Sequence, residues 1–280
     1  MGMAFNPGRQ QRIAKAVLWS FTLITVFILF FIIFYILEKG LPVLSVSFLT
    51  QNPQDMGKSG GIFSTIIGTI LLTIMAVLIA APLGVGTAIF LTEYTVENRI
   101  TRIIRFGSEC LAGIPSIIFG LFGFILFVNT LGFGWSILSG SLTLAFMILP
   151  TIIRTSEEAL RCVPNSLREV SHSLGGTKWQ TVARVVLPSA LPGIGTGIIL
   201  GVGRSVGETA ATIFTAGSVL RTPTSLFSSS RTMAVHFYIL AREGISMPNA
   251  YGTAAILILS ILVINFLAYY LMHRFMKRHS

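Results

Sequence analysis

The sequence predicts an all-α membrane protein of six transmembrane helices with both termini on the inner side. Three observations carry this reading. The 280 residues are 53% hydrophobic and only 11% charged, against about 25% charged in an ordinary globular domain. A soluble fold this apolar would need a core larger than the chain can enclose, so the lipid bilayer is the expected solvent. Apolar runs long enough to cross hydrocarbon recur along the chain. The basic residues concentrate in alternate connecting segments, which orients the runs.

The runs cover residues 17–37, 62–92, 110–128, 137–153, 191–216 and 250–272. The first follows Arg9, Arg12 and Lys15. Its apolar core is too long for a signal peptide and no small-x-small cleavage site follows, so it reads as a retained helix. The second is overlong and carries Ala81-Pro82, which predicts either a kink there or passage beyond the bilayer. With the N-terminus inside, the inner segments hold Arg9, Arg12, Lys15, Arg99, Arg102, Arg105, Arg161, Arg168, Lys178, Arg184, Arg274, Lys277 and Arg278. The outer segments hold only Lys39, Lys58, Arg221, Arg231 and Arg242.

The chain thus divides into a basic cytoplasmic tail (1–16), one membrane domain (17–272) and a second basic tail (273–280). Two sizeable outer loops lie near 38–61 and 218–249, and 231–244 is patterned to lie along the interface as an amphipathic helix. The outer arginines Arg221, Arg231 and Arg242 are either solvated charge or a draw for an anion or an acidic partner. The net charge of +10 follows from orientation. No basic run is interleaved with exposed aromatics, so nucleic acid is not an expected partner. Cys110 and Cys162 fall on the inner side, where a structural disulfide is not expected.

Within the inner segment 156–191 stands a polar island, REVSHSLGGTKWQTVARVVLP, over 168–188. Asn165 or Ser166 is placed to cap a helix with Glu169 in its first turn, where the helix dipole favours a carboxylate. Gly175-Gly176 permits a sharp reversal. Thr177-Lys178-Trp179-Gln180 opens a second helix that Pro188 is expected to end. The residues alone fit two readings, a solvated loop or a short helix–turn–helix presented to a soluble partner.

The fifth run contains Gly203-Arg204-Ser205-Val206-Gly207-Glu208-Thr209. Counted from Leu191, Arg204 lies about 20 Å along the helix, deep in the bilayer. Arg204 and Glu208 are four apart, so one helix face is expected to carry both. A charge at that depth costs at least about 2.5–3.5 kcal/mol and should face protein or a wet cavity. The pair is either a self-neutralising structural ion pair or the lining of a permeation path. The guanidinium fork suits the oxygens of a tetrahedral oxyanion. Glycines at 193, 195, 197, 201, 203 and 207 permit close packing, within this chain or against a second one. Arg154, at the inner end of the fourth run, is a second candidate; its plainer reading is an arginine snorkelling to the interface.

The spacing of the island resembles the E-A-A loop of ABC importer permeases: Glu169-Val170-Ser171, three residues, Gly175, nine residues, then Val185-Val186-Leu187-Pro188. Val170 and Ser171 depart from the two alanines but stay small or apolar. The chain further resembles the phosphate-importer permeases of the PstA type. That resemblance lies in the segments 112–121, Arg204–Thr209 and 232–235, within the stretch from about residue 60 onward. It implies the type I ABC importer permease architecture with a cytoplasmic coupling helix, in a bacterial inner membrane. It implies Arg154, Arg204 and Glu208 as the charged residues of phosphate passage, and Glu169, Val170, Ser171, Gly175, Leu187 and Pro188 as the ATPase-coupling element. The implied partners are a homologous second permease, two cytoplasmic ATPase subunits, an extracytoplasmic phosphate-binding protein, phosphate and lipid.

The chain has no phosphate-binding G-x-x-x-x-G-K-[ST] loop, so ATP is expected to be used by the partner subunits and no cofactor by this one. A permease for another oxyanion or a phosphonate is the neighbouring reading. An intramembrane enzyme is distant: His172, His236, His273 and His279 are scattered without metal-ligand spacing. A passive channel has no use for a coupling loop.

Overall fold

The computed structural model describes residues 7–279, with side chains described for 11–270, 272 and 274. Part of the expected tails, namely residues 1–6, Ser280 and the side chains of Arg9, Lys277 and Arg278, lies outside the described residues, as do the side chains of His273 and His279.

Among the described residues, five helical stretches are long and apolar enough to cross a membrane: Gln11–Val43, Phe63–Tyr94, Ile137–Arg161, Lys178–Val206 and Met247–Tyr270. A sixth crossing requires counting one bent pair of helices as a single span. The first helix, α1 (Pro7–Gly40), starts ahead of the expected boundary. Its large apolar side chains are exposed along most of its length, so it packs mainly through its end. There the Gly40 backbone approaches Tyr251 and Ala255 so closely that a Cβ would collide with both.

A short helix α2 (Val46–Thr50), capped by the Ser45 hydroxyl, and a two-residue hairpin, β1 (Pro53–Gln54) and β2 (Ser59–Gly60), follow. They pair antiparallel with Pro53 opposite Gly60. Helix α3 (Phe63–Ile89) runs through Pro82 without leaving helical geometry and continues as a π-helical turn to Tyr94. No break in helical geometry marks Pro82. A stretch of 32 residues spans about 48 Å, past the roughly 30 Å of hydrocarbon.

The expected third span over 110–128 is not one helix. Helix α4 (Arg99–Ala112) and helix α5 (Ser116–Gly123), the latter extended by a π turn to Thr130, meet at 103°. The break falls at Gly113-Ile114-Pro115, where proline disfavours helical geometry in the residue before it. α4 is strongly amphipathic, with Ile100, Ile103 and Phe106 exposed along it, and an Asn98–Thr101 capping box fixes its start.

Helix α6 (Ile137–Arg161) is the centre of the bundle. α3 packs along it through Leu72, Ala76 and Ala80 against Leu144, Ile148 and Ile152. The loop segment supplies α7 (Asn165–Ser173) and α8 (Lys178–Thr181). A π turn (Val182–Val186) then joins α8 to α9 (Leu187–Val206) without interruption. Pro188 therefore does not end the second loop helix, as its position suggested. It stands in the first turn of α9 after the π turn, where its missing N–H is tolerated.

α9 lies antiparallel on α6. Gly193 sits on Ala159, Gly197 on Thr155, and Gly201 near Ile148 and Ile152. These three glycines serve packing within the chain, whereas Gly203 has no atom within reach of an added Cβ. After a break come α10 (Ala210–Thr215), α11 (Met233–Arg242) and α12 (Met247–His279). α11 buries Met233, Ala234, Val235, His236, Ile239 and Leu240 against its neighbours α12 and α3 and leaves Tyr238, Arg242 and Glu243 exposed, so it has the two faces expected of the amphipathic helix over 231–244. Gly57, at φ 98°, lies against the His236 ring so closely that a Cβ there would meet it at 2.6 Å.

Candidate functional site: a helix break and a presented loop

The charged pair sits at a discontinuity. α9 ends at Val206, Gly207 is its C-terminal cap, and α10 begins at Ala210. Arg204 is half-buried in the last turn of α9. Glu208 lies in the break, and its carboxylate accepts the Ala211 N–H at 3.2 Å. The expected shared helix face is therefore not formed, and Arg204 has no ion-pair partner among the described residues. The physical reason is local. A helix that restarts within apolar surroundings exposes N–H groups that must find acceptors, and Glu208 supplies one. Thr212 adds a bond from its hydroxyl to the Glu208 carbonyl at 2.9 Å. Among the described residues, Arg204 thus stands beside bare Gly203 with its fork of donors uncommitted.

Arg154 is not part of this cluster. It lies on α6 with its side chain 73% exposed and donates Nε to Glu158 Oε1 at 3.3 Å. The α6–α9 register places Arg204 level with about residue 148, so Arg154 is about 9 Å further along the axis. It borders a cavity of about 300 Å³ together with Arg105, Glu109, Glu157, Glu158 and Arg161.

The loop is ordered by its own hydrogen bonds. α7 begins after Pro164 without a side-chain cap, so neither Asn165 nor Ser166 takes that role. Gly175 adopts φ 82°, the left-handed conformation its position predicted. Gly176 donates to the Ser171 carbonyl at 3.0 Å. Thr177 and Gln180 form a capping box at the start of α8. Ser171, one of the departures from alanine, shares a 2.8 Å hydrogen bond with the Thr181 hydroxyl and ties α7 to α8. Glu169, Val170 and Gly175 are exposed, Leu187 is half-buried and Pro188 exposed. Leu174 is 84% exposed and Trp179 66% exposed, so the loop presents apolar side chains at its tip.

Sequence reasoning missed the contacts behind the loop. Arg168 donates to Glu93 through Nη2 at 2.7 Å and Nε at 3.3 Å. Nearby, Glu157 accepts from both Arg105 and Arg161 at 2.8 Å. Arg168 and Glu93 are 75 positions apart, and no local pattern pairs them.

At the opposite end of the bundle, Arg231 is buried and donates Nε to the Ser218 carbonyl at 2.8 Å. It therefore does not face solvent to draw an anion. Its Nη1 stands 3.4 Å from His236 Nδ1; a guanidinium only donates, so the ring accepts and is neutral. Burial, and then the Arg231 charge, lower the His236 pKa from 6.5 to about 4. α11 lies outside the membrane-crossing stretches. Between those two values the unfolded chain binds a proton that the fold refuses. Stability is therefore expected to fall as pH drops from 6.5 towards 4, by about 3 kcal/mol over the window. Thermal unfolding in detergent at pH 7, 5.5 and 4.5 measures this, and His236→Gln should flatten the slope. Equal slopes in the two proteins would refute it.

Among the described residues no cluster of three or more His, Cys, Asp or Glu side chains is placed to hold a metal. Cys110 and Cys162 are free and exposed.

Residues 81–280 match the family described as binding-protein-dependent transport system inner membrane component. The probable ABC transporter permease protein YqgI of Bacillus subtilis is 37% identical over 254 residues, 85% of this chain and 86% of the relative. The phosphate transport system permease protein PstA 1 of Mycobacterium tuberculosis is 37% identical over 213 residues, 75% and 70% of the two chains. PstA of Pasteurella multocida is 32% identical over 246 residues, 86% and 87%. Among solved structures, a bacterial alginate ABC transporter in complex with its alginate-bound periplasmic protein aligns with TM-score 0.67 at 16% identity. It covers 95% of this chain and 96% of its own. The inward-facing MetNI methionine ABC transporter aligns with TM-score 0.66 at 18% identity over 76% and 95%. Those two likenesses carry the fold alone. A helical bundle with several membrane-crossing stretches, a presented loop and close relatives that are permease subunits have one common explanation: the chain belongs to the binding-protein-dependent transport system inner membrane components, the permeases of ABC importers.

Proposed function

We propose that this chain is one transmembrane subunit of an ATP-driven phosphate importer. It forms half of the translocation path and couples it to ATPase subunits. The observation that carries the cargo assignment is Arg204: a guanidinium with no ion-pair partner among the described residues, at a helix break in a membrane-crossing stretch. A fixed fork of donors matches the oxygens of a tetrahedral anion. The PstA relatives, named for phosphate transport, support the same cargo. The fold by itself does not, since transporters of alginate and methionine share it.

In this reading the end of the bundle carrying α7 and α8 is cytoplasmic. The basic residues around it, Arg99, Arg102, Arg161, Lys178 and Arg184, support that side, which also sets both termini inside. The loop docks on one of two cytoplasmic ATPase subunits, and hydrolysis belongs to those subunits. A homologous second permease completes the path, and an extracytoplasmic phosphate-binding protein delivers the anion. Glu208, by capping α10, holds the break open beside Arg204.

Uptake of labelled phosphate by the complete complex in proteoliposomes tests the cargo. ATP-dependent accumulation that excess unlabelled phosphate suppresses is the expected result. Stronger suppression by another oxyanion or a phosphonate than by phosphate would transfer the assignment to that anion.

A further inference from the structure

Both helices of the loop are held by two consecutive residues at the end of α3. Glu93 takes Arg168 of α7 in a two-point contact, Nη2 at 2.7 Å and Nε at 3.3 Å. The side chains are only 8% and 17% exposed. The next residue, Tyr94, places its ring under Lys178 of α8, with Nζ 5.4 Å from the ring centroid. Arg168 also donates Nη1 to the Val163 carbonyl at 2.7 Å and Nη2 to the Leu160 carbonyl at 2.9 Å. One guanidinium therefore joins the ends of α3 and α6 to the first loop helix. A lysine cannot replace it, because the site uses several donors in a fixed plane. The π turn Phe90–Tyr94 re-aims the end of α3 and brings Glu93 and Tyr94 to the loop; such turns are frequent at functional positions.

The chain itself joins the loop to the bundle twice, from α6 into α7 across residues 162–164 and from α8 into α9. α3 has no covalent link to the loop at this end, yet it packs along α6 through the whole core. We propose that the Glu93–Arg168 and Tyr94–Lys178 contacts form a clamp that makes α3 move with the loop as the covalently joined α6 and α9 do, so that motion at the loop displaces the bundle as a unit. Glu93 and Tyr94 are thus positioning residues for energy coupling. The Glu93 side chain is buried behind the loop, Tyr94 is half-exposed beside it, and both act on the path through α3. The contacts bordering the clamp fit a mechanical role: Glu97 and Glu157 hold Arg105 of α4 at 3.3 and 2.8 Å, so a third helix is tied to the same corner.

The inference rests on the reading of the loop as the ATPase dock. Its test is the complete complex with Glu93→Gln, Arg168→Lys and the two together, assayed for ATPase co-purification, ATP hydrolysis and labelled phosphate uptake. Glu93→Gln is expected to keep the ATPase attached and hydrolysing. Phosphate moved per ATP should fall by about fivefold or more, the lower end of typical coupling between sites. The double variant should be no worse than the worse single one, since both remove one interaction. A transport-to-hydrolysis ratio unchanged in Glu93→Gln overturns the clamp. So does loss of ATPase attachment in that variant, because the pair would then shape the dock instead of transmitting its motion. Additive losses in the double variant overturn it as well. Should Glu93→Gln not assemble, Tyr94→Leu removes the second contact and is judged on the same ratio. Failure of the underlying loop reading is seen elsewhere: Gly175 variants would then retain normal ATPase attachment.

Discussion

Arg204→Gln is expected to abolish phosphate uptake while the complex stays assembled. The side chain makes no ion pair among the described residues, and no other side chain depends on it for charge balance, so its loss should leave the bundle intact. Its neighbour Glu208 is engaged with the Ala211 N–H instead. What the substitution removes is the cation at the helix break. Truncating one partner of a desolvated charged contact costs about 2–5 kcal/mol, which is a fall of about 30-fold or more in anion occupancy. Gln keeps length and polarity but loses the charge and the fork. Arg204→Lys should fall between, since it restores the charge as a point and not as a plane of donors. Labelled phosphate uptake by the reconstituted complex, with subunit stoichiometry checked on the same sample, measures both. Normal uptake by Arg204→Gln would remove this residue from the path.

Gly175→Val is expected to weaken ATPase attachment. Gly175 turns the chain between α7 and α8 at φ 82°, and an added Cβ would meet no neighbouring atom. The penalty is therefore backbone strain alone, about 1–2 kcal/mol for a left-handed L-residue and more for a β-branched one. That is enough to shift the reversal and misplace Trp179 relative to Glu169 and Val170. One or two kcal/mol corresponds to about a 5- to 30-fold change in an equilibrium, so ATPase recovered per permease should fall by a comparable factor. Gly175→Asn, which tolerates this conformation better, should retain more attachment than Val. Equal attachment across glycine, asparagine and valine would sink the docking role of the loop.

How much was legible depended on whether the signal was local. Gly175 was readable because a left-handed turn has few alternatives among residue types, and the helix start at Thr177 because the signals that open a helix lie within four residues. The helices that cross the membrane followed from run length. Several misreadings share a cause: they lay where a helix was interrupted or was continued past a residue that ordinarily stops it. Pro115 broke a predicted span and Pro188 did not end a helix, although the residue type is the same. Pro188 stands in the first turn of α9, where its missing N–H is tolerated, whereas Pro115 follows the helix end at Gly113-Ile114. Arg204 and Glu208 were placed on one face by counting residues, but the count assumed an unbroken helix.

By itself the sequence determined that this is a helical membrane protein, roughly where it crosses, and which residues are chemically out of place in it. Those conclusions rest on hydropathy, charge and turn chemistry, all of which act over a few residues. Only the tertiary structure decided that Glu208 serves the backbone of α10 and leaves Arg204 uncommitted, that Arg231 is buried, and that Glu93 grips Arg168. The physical reason is that hydrogen-bond satisfaction in an apolar interior is a global accounting. Which acceptor a donor finds depends on which helices pack, and packing joins residues that the chain holds far apart.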